Sequence, residues 1–310
     1  MRAFFANRNV KSKNNTVKHF NFTQKNMSIE TCPLSIEDIL SELEEIREIA
    51  AKNGSKKMFE KALSLIDLTT LNSTDTASSV AAFTEKVNRF PEAFPGISNV
   101  AAICVYPNMA HTVKSTLKVP NVKIAAVAGG FPSSMTFTKL KIEEAQLAVV
   151  AGANEIDIVL PLWAFLEGHF ETCTNEISAI KKAIGDAHLK VILETGVLDV
   201  DQIWQASILA IEAGADFIKT STGKLPQAAS PEAAFVMCLA IKQHFEETDQ
   251  KIGFKPAGGI VTPEDAILYL TIVQEILGDQ WLTPELFRIG ASRLANNLLE
   301  KITGNPAKHF

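Results

Sequence analysis

Two lysines of this 310-residue chain end apolar runs that are typical of buried strands. Lys219 lies in DFIKTSTGK (216–224), and Lys255 lies in KIGFKPAGG (251–259). A solvated surface lysine is the alternative for each, but consecutive apolar residues are typical of strands that are covered on both faces. Two buried ammonium groups lose hydration and repel each other, which a purely structural role explains poorly. The pair therefore points to chemistry.

The chemistry that such a pair favours is Schiff-base formation. A free lysine has a pKa near ~10.4, so about one in 10³ is uncharged at neutral pH. A second positive charge ~4 Å away, at an effective dielectric constant of ~20, contributes about 4 kcal/mol, which is roughly three pKa units. We expect Lys255 and burial to keep Lys219 uncharged, so that its amine attacks carbonyl carbons.

A carboxylate in the run NEIDIVLP (154–161) completes the predicted catalytic set. Asp157 can hold Lys255 in its charged form and exchange protons with it. The alternative is a structural ion pair between the two side chains, which would not exclude catalysis.

Glycines mark a second kind of site at the ends of the last two predicted strands. GFKPAGG ends in Gly258 and Gly259, and the following strand leads into GASR (290–293). Loops after strands seven and eight of (β/α)8 barrels bind phosphate through backbone N–H groups. A Gly-Gly pair alone is usually a turn, so its position carries the prediction. Lys224 could add a charge-assisted hydrogen bond, and a solvated loop lysine is the alternative.

These side chains need a scaffold that brings strand ends together. Eight runs read as strands: 63–69, 99–106, 122–129, 154–161, 189–196, 216–223, 251–259 and 286–292. Amphipathic segments such as 139–153 and 199–215 lie between them. Strand alternating with helix predicts βαβ units, and about eight units over roughly 250 residues predict a (β/α)8 barrel. The alternative, a doubly wound sheet, would carry a GxGxxG turn after its first strand, and there is none.

The chain before the barrel differs in composition. Residues 1–34 are Asn- and Lys-rich up to Met27, with no acidic residue before Glu30, which predicts a disordered tail. A targeting leader and a start at Met27 are the alternatives. SIEDILSELEEIREIAAKNG (35–54) predicts an N-terminal helix. We expect the barrel over 55–304 and a C-terminal tail over 305–310.

Composition argues against several classes of partner. The formal net charge is −5, whereas nucleic-acid binding calls for a basic patch. The histidines form no HxH or HExxH pair, so we expect no metal and no cofactor. Four scattered cysteines favour a reducing compartment, and we expect a cytoplasmic location. No apolar run is long enough to span a bilayer, so no membrane partner is expected.

Six segments together resemble the deoxyribose-phosphate aldolase family. They are LIDLTTLN, AAICVYP, EIDIVLP, ILETG, ADFIKTSTGK and GFKPAGGI. The resemblance covers roughly residues 63–300 and implies a (β/α)8 class I aldolase. It implies reversible, metal-free cleavage of 2-deoxy-D-ribose 5-phosphate to D-glyceraldehyde 3-phosphate and acetaldehyde, in deoxyribonucleotide catabolism.

The resemblance also implies roles for individual residues. Lys219 matches the Schiff-base lysine, Lys255 its partner lysine, and Asp157 the carboxylate of the proton relay. Positions near the substrate hydroxyls and in the pocket match Asp67, Thr69 and Cys104, the last of which is not the nucleophile. The phosphate-side positions match Thr222, Gly223, Lys224, Gly258, Gly259 and Ser292.

Three features depart from some family members. Arg293 follows Ser292 where some members have a second serine, so phosphate binding there is strengthened or rearranged. Some members end in a mobile tyrosine that assists proton transfer, and Phe310 cannot play that part. The portion before about residue 55 has no counterpart in the shorter members.

Two other functions stay open on the sequence alone. One is a different Schiff-base barrel lyase, such as a transaldolase-like enzyme acting on a related sugar phosphate. The other is a non-catalytic sugar-phosphate binding protein, which would be expected to have lost a relay residue. The oligomeric state cannot be read from the sequence, although barrels of the resembled family often pair as homodimers.

Overall fold

Eight parallel strands form the centre of the molecule. The computed structural model describes residues 31–310. The strands are β1 (Ile66–Thr69), β2 (Ala102–Val105), β3 (Lys123–Ala128), β4 (Glu155–Val159), β5 (His188–Ile192), β6 (Phe217–Lys219), β7 (Gly253–Lys255) and β8 (Ile289–Ala291). They pair in the order β7-β6-β5-β4-β3-β2-β1-β8. Isolated bridges between Phe254 and Phe287 and between Ala257 and Gly290 join the last two edges. The predicted (β/α)8 barrel is confirmed.

Helices surround this barrel. They are α1 (Ile36–Lys52), α2 (Lys56–Ser64), α3 (Ala77–Ala93), α4 (Ala110–Thr116), α5 (Thr138–Val150), α6 (Leu162–Leu166), α7 (Phe170–Ile184), α8 (Val200–Glu212), α9 (Pro231–Thr248), α10 (Pro263–Leu277) and α11 (Leu294–Thr303). Short 3₁₀ helices occupy Pro107–Met109, Thr195–Val197 and Asp279–Trp281. No helix of residues 31–310 combines the length and apolar character that crossing a membrane requires.

The strands are shorter than the apolar runs that predicted them. The run 63–69 begins inside α2, whose N-terminus is capped by Ser55 and whose buried face includes Leu63. A buried helix turn and a buried strand are both apolar, so this boundary could not be read from hydrophobicity. At the other end of the strands, the ladder stops and the chain turns into the loops that carry the polar side chains.

The predicted N-terminal helix is present as α1. Ser35 caps it, because its hydroxyl accepts from Asp38 N while the Asp38 side chain accepts from Ser35 N. Its buried residues Ile39, Leu43 and Ile46 form one stripe, as expected for a helix that packs by one apolar face. That face packs on α9 and α10, on the flank of the barrel. The predicted tail lies outside the described residues up to residue 30, as do the alternatives of a leader and a start at Met27.

The C-terminal residues pack on the outer helices. Asn296 Oδ1 accepts from the backbone N–H groups of His309 and Phe310, each at 3.0 Å. The Phe310 ring stacks on Phe90 of α3, with ring centroids 5.4 Å apart. The His309 ring contacts the carbonyl of Lys86 at 2.7 Å. The predicted C-terminal tail is thus held between α3 and α11.

Candidate active site

The two lysines that the sequence singled out lie side by side in the barrel. Lys219 of β6 is paired in register with Lys255 of β7. Their amino groups donate to the same oxygen, Asp157 Oδ2, at 2.8 Å and 2.7 Å respectively. Lys219 is 4% exposed and the other two are fully buried, so neither lysine is a solvated surface residue. Parallel strands bring these C-terminal residues to one end of the barrel.

Similar surroundings give the two amines opposite pKa shifts. Burial lowers the pKa of Lys219; Asp157 opposes this effect, but Lys255 adds to it, and the result is below the ordinary value. Burial also lowers the pKa of Lys255, but the carboxylates of Asp157 and Asp67 outweigh it and raise the pKa above the ordinary value. Burial raises the pKa of Asp157, yet the surrounding lysines hold it well below its usual range. The site therefore holds the Lys255 ammonium, which can donate a proton, next to the Lys219 amine, which releases its proton more easily than a free lysine does.

A layer of charge that sequence reasoning missed lies beside this set. Arg288 Nη1 donates to Asp67 Oδ1 at 2.6 Å, and Arg288 Nη2 donates to Glu155 Oε1 at 2.7 Å. The Lys190 amino group donates to Glu155 Oε2, and its Nζ lies 3.4 Å from Asp157 Oδ1. Asp67 in turn pairs with Lys255. Asp67 was predicted near the lysine pair and lies there.

A sequence signal for this layer was present. Glu155 precedes Asp157 by two residues in EIDIV, and side chains two apart in a strand share a face. Lys190 lies in the apolar run LKVI and Arg288 in LFRIG. These charges lie away from the carboxyl ends of the strands, and like Asp157 each of them is a charge within an apolar run.

Strands β1 to β3 supply an apolar side of the barrel. Its cluster of side chains comprises Leu71, Ala102, Cys104, Ala125 and Val127, with Tyr106 and Phe131 packed against it. Burial raises the pKa of Cys104, which keeps its thiol protonated. The Thr69 hydroxyl donates to the carbonyl of Asp67 at 2.8 Å. The predicted pocket residues Cys104 and Thr69 are register partners on β2 and β1.

Glu194 holds the loop after β6 in place through hydrogen bonds with Thr222. Glu194 is buried and has a left-handed backbone, φ 56°. Its carboxylate accepts from Thr222 N at 3.1 Å and from Thr222 Oγ1 at 2.5 Å. Thr222 Oγ1 also accepts from Lys224 N at 3.1 Å. The Thr222 hydroxyl proton is thus committed to Glu194, and Thr222 shapes the loop.

The predicted phosphate-side glycines meet where two loops touch. Gly223, Gly258 and Gly259 have φ of 72°, 86° and 80°, values that glycine adopts freely. A Cβ added to Gly258 would lie 2.7 Å from the Cβ of Ala228 and 3.1 Å from the Cα of Gly223, so a side chain there would displace the β6 loop. Within residues 31–310, no protein group accepts from the N–H of Gly223 or Gly259. These N–H groups are available to an anion.

The remaining phosphate-side residues are more exposed. Ser292 lies between β8 and α11 and is exposed, beside Arg293, which precedes the first turn of α11. The Lys224 amino group donates to the carbonyl of Leu71, which follows β1. Lys224 therefore reaches from the β6 loop to the β1 loop. Among residues 31–310, no three His, Cys, Asp or Glu side chains are arranged to hold a metal ion.

Known proteins resemble this chain over most of its length. The family model described as DeoC/LacD family aldolase matches residues 61–279. A Caenorhabditis elegans protein is 47% identical over 257 residues, covering 82% of this chain and 84% of its own. Deoxyribose-phosphate aldolase of Homo sapiens is 42% identical over 277 residues, covering 84% and 87% of the two chains.

A solved structure gives the same likeness. It is described as the unique tetrameric structure of deoxyribose phosphate aldolase from Aeropyrum pernix. The two folds agree with a TM-score of 0.64 at 25% identity, over 86% of this chain and 98% of the other. The likeness spans the barrel and is not restricted to the lysine-bearing strands.

Proposed function

This chain belongs to the DeoC/LacD family of aldolases, and we propose that it reversibly cleaves 2-deoxy-D-ribose 5-phosphate to D-glyceraldehyde 3-phosphate and acetaldehyde. It is a carbon–carbon lyase. The curated human relative carries the name of this activity. The observation that carries the proposal is the contact of Lys219 and Lys255 with one oxygen of Asp157, because it pairs a nucleophilic amine with a charged proton donor.

The proposed reaction begins with Lys219. Its uncharged amine adds to the C1 aldehyde of the open-chain sugar, and loss of water gives a protonated Schiff base. Removal of the C3 hydroxyl proton lets the C2–C3 bond break. The bond electrons move to C2 as an enamine, while C3 becomes the aldehyde of glyceraldehyde 3-phosphate. Protonation at C2 and hydrolysis then release acetaldehyde and regenerate Lys219.

Asp157 and Lys255 are proposed to move the protons of these steps. Despite burial, the neighbouring lysines keep the pKa of Asp157 low, and the carboxylates of Asp157 and Asp67 keep that of Lys255 high, so the pair rests as carboxylate and ammonium. The ammonium can protonate the departing hydroxyl of the carbinolamine, and the carboxylate next to Lys219 can take up a proton. Since the two groups touch, a proton can pass between them within the buried site.

The phosphate is proposed to bind at the touching β6 and β7 loops. Left-handed Gly223 and Gly259 offer backbone N–H groups there, and the exposed Lys224, Ser292 and Arg293 lie on loops at the same end of the barrel. Backbone N–H groups and a helix N-terminus stabilise an anion without a metal ion. Thr69 and Asp67 are proposed to face the sugar hydroxyls, with Gly258 keeping the loops in contact.

Borohydride trapping tests the proposal directly. The protein is incubated with acetaldehyde and reduced, and the modified peptide is identified by mass spectrometry. We expect an ethyl adduct on Lys219 alone, and none in Lys219→Arg. Label on another lysine, or no label, contradicts the proposal. A substrate panel completes the test: preference for a ketose donor over acetaldehyde would indicate a transaldolase-like enzyme instead.

We further propose that the protein is a cytoplasmic homodimer that acts in deoxyribose breakdown. Four apolar side chains on α5 and at its N-cap are exposed. They are Phe137, Leu140, Leu147 and Val150, which are 79%, 50%, 61% and 85% exposed. A stripe of this kind on an outer helix suits contact with a second copy. The Aeropyrum pernix relative is described as tetrameric, which supports self-association.

A further inference from the structure

The buried charges around the catalytic lysine form a closed ring. Three carboxylates, Asp67, Glu155 and Asp157, alternate with three cations, Lys190, Arg288 and Lys255. Around the ring, Lys190 pairs with Glu155, Glu155 with Arg288, Arg288 with Asp67, Asp67 with Lys255, Lys255 with Asp157, and Asp157 with Lys190. Every member is buried. Before Lys219 is considered, Glu155 and Asp157 thus have two cationic neighbours each, and Asp67 has a third, because Lys190 also lies 3.8 Å from its Oδ2.

Lys219 lies outside this ring and touches it at one atom. Among the described residues 31–310, its amino group donates only to Asp157 Oδ2, the oxygen that Lys255 also uses. The six ring members carry equal numbers of positive and negative charges. A proton on Lys219 would therefore add an unbalanced charge to a buried site, where such a charge is costly.

Besides the ring members, one further titratable group in the described part of the chain acts on Lys219. Strand β2 contributes Cys104, whose thiol is neutral because burial raises its pKa. The ring members come from the other elements: Asp67 from β1, Glu155 and Asp157 from β4, Lys190 from β5, Lys255 from β7, and Arg288 from the residue before β8. The β3 residues level with Asp157 are apolar, with Val127 as its register partner.

We propose that Glu155, Lys190 and Arg288 are positioning residues that balance the charge of Asp67, Asp157 and Lys255 and thereby leave Lys219 as the uncharged amine. This inference rests on the proposed function, because it assigns the Schiff base to Lys219. Glu155, Lys190 and Arg288 do not touch Lys219. They act through the ring.

The ring makes a prediction of sign that simple packing does not. Arg288→Met removes a positive charge, so Lys219 holds its proton to higher pH. The acid limb of the pH profile for imine formation then moves up by about one pH unit, the effect of a unit charge at roughly 10 Å and an effective dielectric constant of ~20. Lys190→Met should move the limb in the same direction. Glu155→Gln removes a negative charge and moves it down by a similar amount.

The measurement is the rate of acetaldehyde imine formation at Lys219, trapped with cyanoborohydride and followed from about pH 5 to 10. Arg288→Lys keeps the charge and should leave the limb within about 0.3 units of the parent. The double variant Glu155→Gln/Arg288→Met removes one charge of each sign and should return the limb close to the parent position. Thermal unfolding of each variant reports folding separately.

The outcomes separate this inference from the function on which it rests. If the parent protein forms no imine on Lys219, the proposed function fails. If the parent forms it but the single variants lose rate without opposite shifts of the limb, the ring is structural and the inference is overturned. Should Arg288→Met fail to fold, Lys190→Met tests the same sign.

Discussion

At the scale of single residues, the site shows why one lysine and not its neighbour is the nucleophile. Both are buried, and both donate to Asp157 Oδ2. Lys255 forms a second ion pair, with Asp67, whereas among residues 31–310 Lys219 pairs with Asp157 alone. Two anions outweigh the burial that lowers the pKa of Lys255, while one anion does not outweigh it for Lys219. A single additional carboxylate therefore divides the two roles.

Lys255→Met tests this division. Removing the charge of Lys255 relieves repulsion on Lys219, whose pKa then rises. The acid limb of imine formation with acetaldehyde should move to higher pH, and kcat for deoxyribose 5-phosphate should fall at least about 100-fold because a proton donor is lost. Lys123→Met, at the exposed start of β3, is the control and should change neither. An unmoved limb in Lys255→Met would mean that the two amines are not coupled.

The sequence predicted the residues whose charge conflicts with an apolar run, at the end of the run for the two lysines and inside it for Asp157. Lys219, Lys255 and Asp157 were found in that way. Glu155 and Arg288 were not, because Glu155 is the first residue of β4 and Arg288 precedes β8, where a charge reads equally well as the solvated beginning of a strand. Only the closed barrel brings those starts together, since parallel strands converge on one interior.

At the scale of elements, the loop after β6 depends on a residue from the loop after β5. Glu194 adopts a left-handed backbone, φ 56°, which costs of the order of 1–3 kcal/mol for a residue other than glycine. Two charge-assisted hydrogen bonds from Thr222 offset that cost. The strain and the tether together fix where Gly223 presents its N–H group.

Glu194→Gln tests the tether. The glutamine side chain has one oxygen that accepts hydrogen bonds, where the carboxylate has two. Its N–H group would face the N–H of Thr222, and two donors cannot form a hydrogen bond with each other. We expect the KM for deoxyribose 5-phosphate to rise about tenfold, the equivalent of one hydrogen bond, with kcat changed less than about threefold. Acetaldehyde carries no phosphate, so its trapping on Lys219 should be unchanged. An equal loss with both compounds would show that Glu194 supports the lysine rather than the loop.

Order and type of the elements followed from the sequence, but their ends did not. Short continuous apolar runs alternate with longer amphipathic segments of helical period, and this alternation predicted eight βα units. The predicted strand 189–196 ends at Ile192, because Glu194 turns away to reach Thr222 in the next βα unit. A turn set by a partner from another unit leaves no local signal.

At the scale of the whole molecule, helix α1 and the exposed apolar side chains of α5 lie on the outside of the barrel. Helix α1 buries Ile39, Leu43 and Ile46 against α9 and α10. It therefore covers a flank of the barrel. The α5 stripe of Phe137, Leu140, Leu147 and Val150 remains uncovered among residues 31–310. The proposed homodimer would bury it.

Leu147→Glu tests the proposed dimer at the centre of that stripe. In a two-fold interface each substitution occurs twice, so two carboxylates would be buried near each other and the dimer should dissociate. Light scattering after size-exclusion chromatography at about 50 µM should give twice the mass of the chain for the parent and a single mass for the variant. Leu40→Glu is the matched control, since Leu40 of α1 is also half exposed, and it should remain dimeric. Imine trapping on Lys219 should persist in the monomeric variant, because every ring residue comes from one chain. A parent that is monomeric, or a Leu147→Glu variant that stays dimeric, would remove α5 as the interface.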